Sequence, residues 1–95
     1  MEPVAYCYRM YVGESTARGV LAVLQRFDLP ATVYPQGQGM WGGLIEPVVV
    51  VEIIRDNIFD GDIRVIAEAM AHEFRQDCVL FTRTDVSRME LVKSE

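Results

Sequence analysis

Residues 47–54, Pro-Val-Val-Val-Val-Glu-Ile-Ile, constrain the fold more than any other segment. A run of β-branched side chains fits a strand, and this one is apolar on both faces except at Glu52. Such a strand belongs inside a sheet, with a packed layer on each side.

Residues 4–12 supply a neighbour for it. Val4, Tyr6, Tyr8, Met10 and Val12 are apolar or aromatic, whereas the odd positions include Arg9, so the even set faces the core. Gly13 breaks this strand, and Ser15 or Thr16 caps a helix carrying Ala17, Val20, Leu21, Leu24 and Phe27 as one stripe. Asp28-Leu29-Pro30 ends the helix, and residues 31–35 read as a short strand stopped by Pro35. Residues 36–46 hold four glycines and read as a flexible loop.

After a connection over 55–59, Asp60 is placed to cap a second helix, with Asp62 in its first turn. Ile63, Ile66, Ala67, Met70, Ala71 and Phe74 form its apolar face. Residues 78–84 read as a fourth strand, 86–92 as a short fifth, and 93–95 as a loose tail. The expectation is one α+β domain over 1–92, a ferredoxin-like βαββαβ sandwich with a short extra C-terminal strand. Right-handed crossovers then make the 4–12 and 47–54 strands antiparallel neighbours, with both helices on one face of an antiparallel sheet.

That layout leaves Ala5, Cys7, Arg9, Tyr11, Val48, Val50, Glu52 and Ile54 on the other face. Arg9 and Glu52 are placed to pair across strands, but the other six are apolar or aromatic, unlike a solvated sheet face. The expected cover is another copy of the chain, which makes Cys7, Arg9, Tyr11, Val48, Val50, Glu52 and Ile54 the predicted oligomer interface.

Composition bears on partners. With 51 % hydrophobic residues the chain is globular in type. A formal net charge of −5 and scattered basic residues argue against a nucleic-acid ligand, which needs clustered Lys and Arg. No apolar run approaches the roughly 20 residues that span a bilayer, so the expectation is a cytoplasmic protein with no membrane partner. Cys7 and Cys78 make no metal or redox pair and are expected as buried free thiols.

The chain resembles the trimeric ferredoxin-like proteins typified by the PII signal transducers and CutA. In those families a long loop between the second and third strands projects, as residues 36–46 are placed to do, so the resemblance implies a trimer. It is one of topology, and their nucleotide and metal ligands have no counterpart here. Two short patterns, Tyr8-Arg9-Met10-Tyr11-Val12-Gly13 and Phe74-Arg75-Gln76-Asp77-Cys78-Val79-Leu80, are also similar to small bacterial and phage proteins of this topology.

Of the candidate sites, Gly37-Gln38-Gly39-Met40-Trp41-Gly42 satisfies GxGxxG, but a strand rather than a helix follows, so no dinucleotide site is expected. Residues 56–62 hold acids and Gly61 in a calcium-loop pattern but lack the bidentate acid at the twelfth position, which is Ala67. His72 lies off the apolar stripe as a solvated side chain, and Ser15 and Thr16 serve as caps rather than as an anion site. No catalytic residue, metal ligand or cofactor is assigned. The reading is a non-enzymatic oligomeric binding module whose loop contacts a small molecule or protein partner through Gly39, Met40, Trp41, Gly42, Gly43 and Glu46. The alternatives are a phage-type inhibitor or accessory protein binding a host protein, and a small enzyme using carboxylates such as Glu46 and Glu52 between protomers.

Overall fold

The computed structural model describes residues 2–94, the side chains of Gln36 and Trp41 excepted. In chain order the elements are β1 (Ala5–Gly13), α1 (Ala17–Leu24), β2 (Thr32–Trp41), β3 (Leu44–Arg55), α2 (Asp60–Glu73) and β4 (Leu80–Val86). The strands form one antiparallel sheet in the order β2-β3-β1-β4, so the valine-rich strand sits inside and pairs with β1.

The alternation expected of β1 holds from Tyr6 to Val12, whereas Val4, expected in the core, precedes the strand and is 49 % exposed. Tyr8, Met10 and Val12 pack with Val49, Val51 and Ile53 of β3 against Val20, Val23 and Leu24 of α1 and Ile63, Ile66 and Met70 of α2. Both helices therefore cover the same sheet face. Each large side chain buried there contributes about 1.5–3 kcal/mol relative to exposure. Leu21, expected in the α1 stripe, is 47 % exposed, because the short helix turns only Val20, Val23 and Leu24 inward.

The caps divide. Thr16 Oγ1 accepts from Gly19 N at 3.1 Å, while Ser15 Oγ donates to Val12 O at 2.7 Å. At α2 the capping position is Phe59, which offers no side-chain cap, and Asp60 is the first helical residue. Its carboxylate instead accepts from Tyr8 and pairs with Arg83 at 3.2 Å, tying the helix to β1 and β4.

The largest departure concerns residues 36–46, which are not a loop. β2 runs to Trp41 and β3 starts at Leu44, giving a two-residue hairpin turn at Gly42 and Gly43. Both glycines have positive φ, 57° and 82°, as such a turn demands. A register shift between Tyr34 and Gly37 absorbs Pro35 within the strand. At the other end of the chain, the segment expected as a fifth strand joins the sheet through Val86 alone, whose carbonyl accepts from Val4 N at 2.8 Å. Cys7 is buried as expected, but Cys78 is exposed, because the strand it was expected to open begins only at Leu80. No described helix is long and apolar enough to cross a membrane.

Candidate functional site

Across the face away from the helices, the register lines up Leu80, Tyr11, Val50 and Tyr34 in one row and Thr82, Arg9, Glu52 and Thr32 in the next. The expected ion pair forms, Arg9 Nε to Glu52 Oε2 at 2.9 Å. Burial, and after it the charge of Glu52, pushes the Cys7 thiol up. Tyr34, Ile54 and Leu80 on this face are each about half exposed, at 47 %, 50 % and 52 %.

Where β1 ends, this face opens into a cleft. Gly13 is buried opposite Val48, and a Cβ on it would run into the Glu46 carboxylate and lie 3.3 Å from Gln76 Oε1. The missing side chain lets a carboxylate and an amide oxygen converge on one point. Glu46 reaches it because β3 alternates faces and Gly39, its cross-strand partner, adds no side chain.

Gln76 is delivered by the end of α2. Its N–H donates to Ala71 O at 2.8 Å and that of Arg75 to His72 O at 3.4 Å, with Arg75 in the left-handed region at φ 53°. These are the bonds of a Schellman cap, made here without the usual glycine. Gln76 Nε2 donates to Phe74 O at 3.2 Å, so the oxygen is the end that turns toward Gly13.

The cleft has a volume of ≈ 630 Å³, within the size range of small-ligand sites, and its walls are Tyr11, Gly13, Glu46, Val48 and residues 76–80. Val48, Val79 and Leu80 make it apolar, and Glu46 and Asp77 bring carboxylates that, among the described residues, take part in no hydrogen bond or ion pair. None of the lining side chains is basic. Glu46 also borders a second hollow of ≈ 730 Å³ with Pro35, Gly37, Gln38, Ile45 and Pro47. A further hollow beside the end of α1 holds one titratable group, Asp28, and offers no comparable chemistry.

The loop-based site is thus rearranged. Gly39, Met40, Gly42 and Gly43 are strung along a hairpin, and only Glu46 of that set lines the cleft. Met40, 69 % exposed, pairs with Ile45 on the ribbon face opposite Glu46, and the Trp41 side chain lies outside the described residues. Glu52 sits about 20 Å along β3 from Glu46 and is held by Arg9, so the two acids share no cleft. His72 is exposed. Of the lining residues, Tyr11 and Val48 were expected in the oligomer interface; those not assigned to a site from sequence are Gly13, Gln76, Asp77, Cys78, Val79 and Leu80, all within the two short patterns Tyr8–Gly13 and Phe74–Leu80, which converge here.

No family model matches the chain, and no curated protein matches it. Among solved structures it is similar to a phage SAM lyase in its apo state, with a TM-score of 0.64 and 18 % identity, over 86 % of this chain and 81 % of that one. At that identity the likeness is one of fold: a small α+β sheet with two helices, shared with a phage protein.

Proposed function

We propose that this chain is a small lyase acting on S-adenosylmethionine in the cleft between Gly13, Glu46 and Gln76. The observation that carries the reading is the convergence of Glu46 and Gln76 Oε1 on Gly13 beside apolar walls and the aromatic Tyr11. S-adenosylmethionine bears two cationic groups, an ammonium and a sulfonium, and an aromatic base, which suit acceptors and the face of an aromatic ring. The fold shared with a phage SAM lyase supports the same choice.

The chemistry asks little of the protein. The substrate's own carboxylate oxygen attacks its γ-carbon, forming a C–O bond as the C–S bond breaks. The electron pair stays on sulfur, giving a lactone and a neutral thioether nucleoside with no proton or co-reactant transferred. Removing an unactivated β-proton with a carboxylate base would be far harder, whereas intramolecular attack gains from proximity. Opposite charges vanish in this step, so the apolar surface that Val48, Val79 and Leu80 give the cleft favours it over bulk water. In this reading Glu46 holds the ammonium and so sets the conformation.

The strand order β2-β3-β1-β4 supports reading the fold as ferredoxin-like, and the half-exposed Tyr34, Ile54 and Leu80 support packing between copies. Three copies accord with the resemblance to PII and CutA. A second reading, partner binding without catalysis, has one observation in its favour: Met40, Leu44 and Ile45 near the hairpin tip are 69 %, 76 % and 69 % exposed.

The test is incubation of the purified protein with S-adenosylmethionine, following thioether nucleoside and lactone by chromatography. Formation of both by the wild type, cut about 100-fold or more in Glu46→Gln at unchanged thermal stability, is the expected result. A wild-type protein that forms neither at high concentration overturns the lyase reading and leaves partner binding.

A further inference from the structure

We infer that the cleft selects its ligand by positive charge and binds the decarboxylated form of S-adenosylmethionine, a sulfonium nucleoside ending in a primary amine, more tightly than S-adenosylmethionine itself. The inference rests on the lyase reading and extends it to what the site rejects.

The charged side chains that line the cleft are the carboxylates of Glu46 and Asp77, joined by the Oε1 of Gln76, whose amide nitrogen is already bonded to Phe74 O; the Tyr11 phenol and the Cys78 thiol add only neutral groups. None of the side chains lining the cleft is basic, so the α-carboxylate of S-adenosylmethionine finds no ion-pair partner there and faces two like charges. The chain's formal net charge of −5 adds a long-range term of the same sign. Losing that carboxylate raises the ligand from one net positive charge to two and removes the repulsion. It also removes the oxygen that would attack the γ-carbon, so the decarboxylated compound is bound and not cleaved by this route. The same logic sets phosphorylated nucleotides aside, because Glu46 and Asp77 oppose an anion.

The experiment measures inhibition of S-adenosylmethionine cleavage by the decarboxylated form and by S-adenosylhomocysteine, which keeps the carboxylate and lacks the sulfonium charge, at low and high salt. The expected order is decarboxylated form tightest, by about tenfold over S-adenosylmethionine, and homocysteine form weakest, with the preference shrinking as salt rises. In Glu46→Gln, direct calorimetric binding should show the preference cut severalfold. Cleavage of S-adenosylmethionine with weaker or equal binding of the decarboxylated form overturns this inference and leaves the lyase reading standing. Absence of any binding or cleavage of S-adenosylmethionine overturns both.

Discussion

The phenol of Tyr8 donates to Asp60 Oδ1 at 2.5 Å while its oxygen accepts the Phe59 amide at 2.8 Å. One hydroxyl from the central strand thereby substitutes for the missing side-chain cap of α2. Tyr8→Phe leaves the Phe59 amide without that acceptor and should cost about 1–3 kcal/mol, read as a lower urea midpoint with unchanged slope.

The same contact sets a pH dependence. The hydrogen bond from Tyr8, and after it the charge of Arg83, holds Asp60 below its ordinary carboxylate range. Its depressed folded pKa adds stability that is present above the unfolded value and is lost as pH falls from the ordinary carboxylate pKa through the folded one. Burial first, then the bond to Asp60, raises Tyr8, so its contribution is present below the ordinary phenol pKa and is lost as pH rises beyond it. Denaturation curves across pH should show Tyr8→Phe closing the gap to wild type at both extremes. A gap that stays constant with pH contradicts the assignment.

Gly13→Ala separates cleft from fold. The added methyl meets the far end of the Glu46 side chain, which is free to rotate away, rather than backbone. Stability should therefore change by less than about 1 kcal/mol while the proposed cleavage of S-adenosylmethionine falls at least tenfold. Equal turnover by wild type and Gly13→Ala would show that the convergence at Gly13 plays no part in the chemistry.

The helix cap offers a test with the opposite sign. Arg75 occupies a left-handed position that glycine fills at least cost, and its side chain makes no ion pair among the described residues. Arg75→Gly should stabilise the protein by about 0.5–1 kcal/mol, seen as a higher melting temperature. A lower one would mean that the arginine side chain has a role at the end of α2.

These cases mark what sequence conveys and what it hides. The two faces of β1 and β3, and the Arg9–Glu52 pair, were legible because strand alternation has a fixed period of two. The hairpin over 32–55 was not, because glycine is both a breaker of strands and the residue a two-residue turn requires at Gly42 and Gly43. The cleft was hidden for another reason: Gly13, Glu46 and Gln76 lie far apart in the chain, and their meeting depends on a side chain that is absent. Glu46 was named as a contact residue of the expected loop, whereas Gly13 and Gln76 stood only inside the two patterns similar to small bacterial and phage proteins, a likeness that assigned them no role.

The face that carries the cleft mouth yields the last prediction. Ile54 is 50 % exposed in the single chain, so an acidic residue there meets water and costs the isolated fold little. If copies pack through this face, Ile54→Asp places a charge in an apolar contact and should convert a trimer to monomers of 10.8 kDa, measured by light scattering. Leu80 lies on the same face and also lines the cleft, so turnover should fall along with assembly. A wild-type protein that scatters as a monomer at every concentration removes the assembly, and a dissociated Ile54→Asp variant with full turnover would place the whole site within one chain.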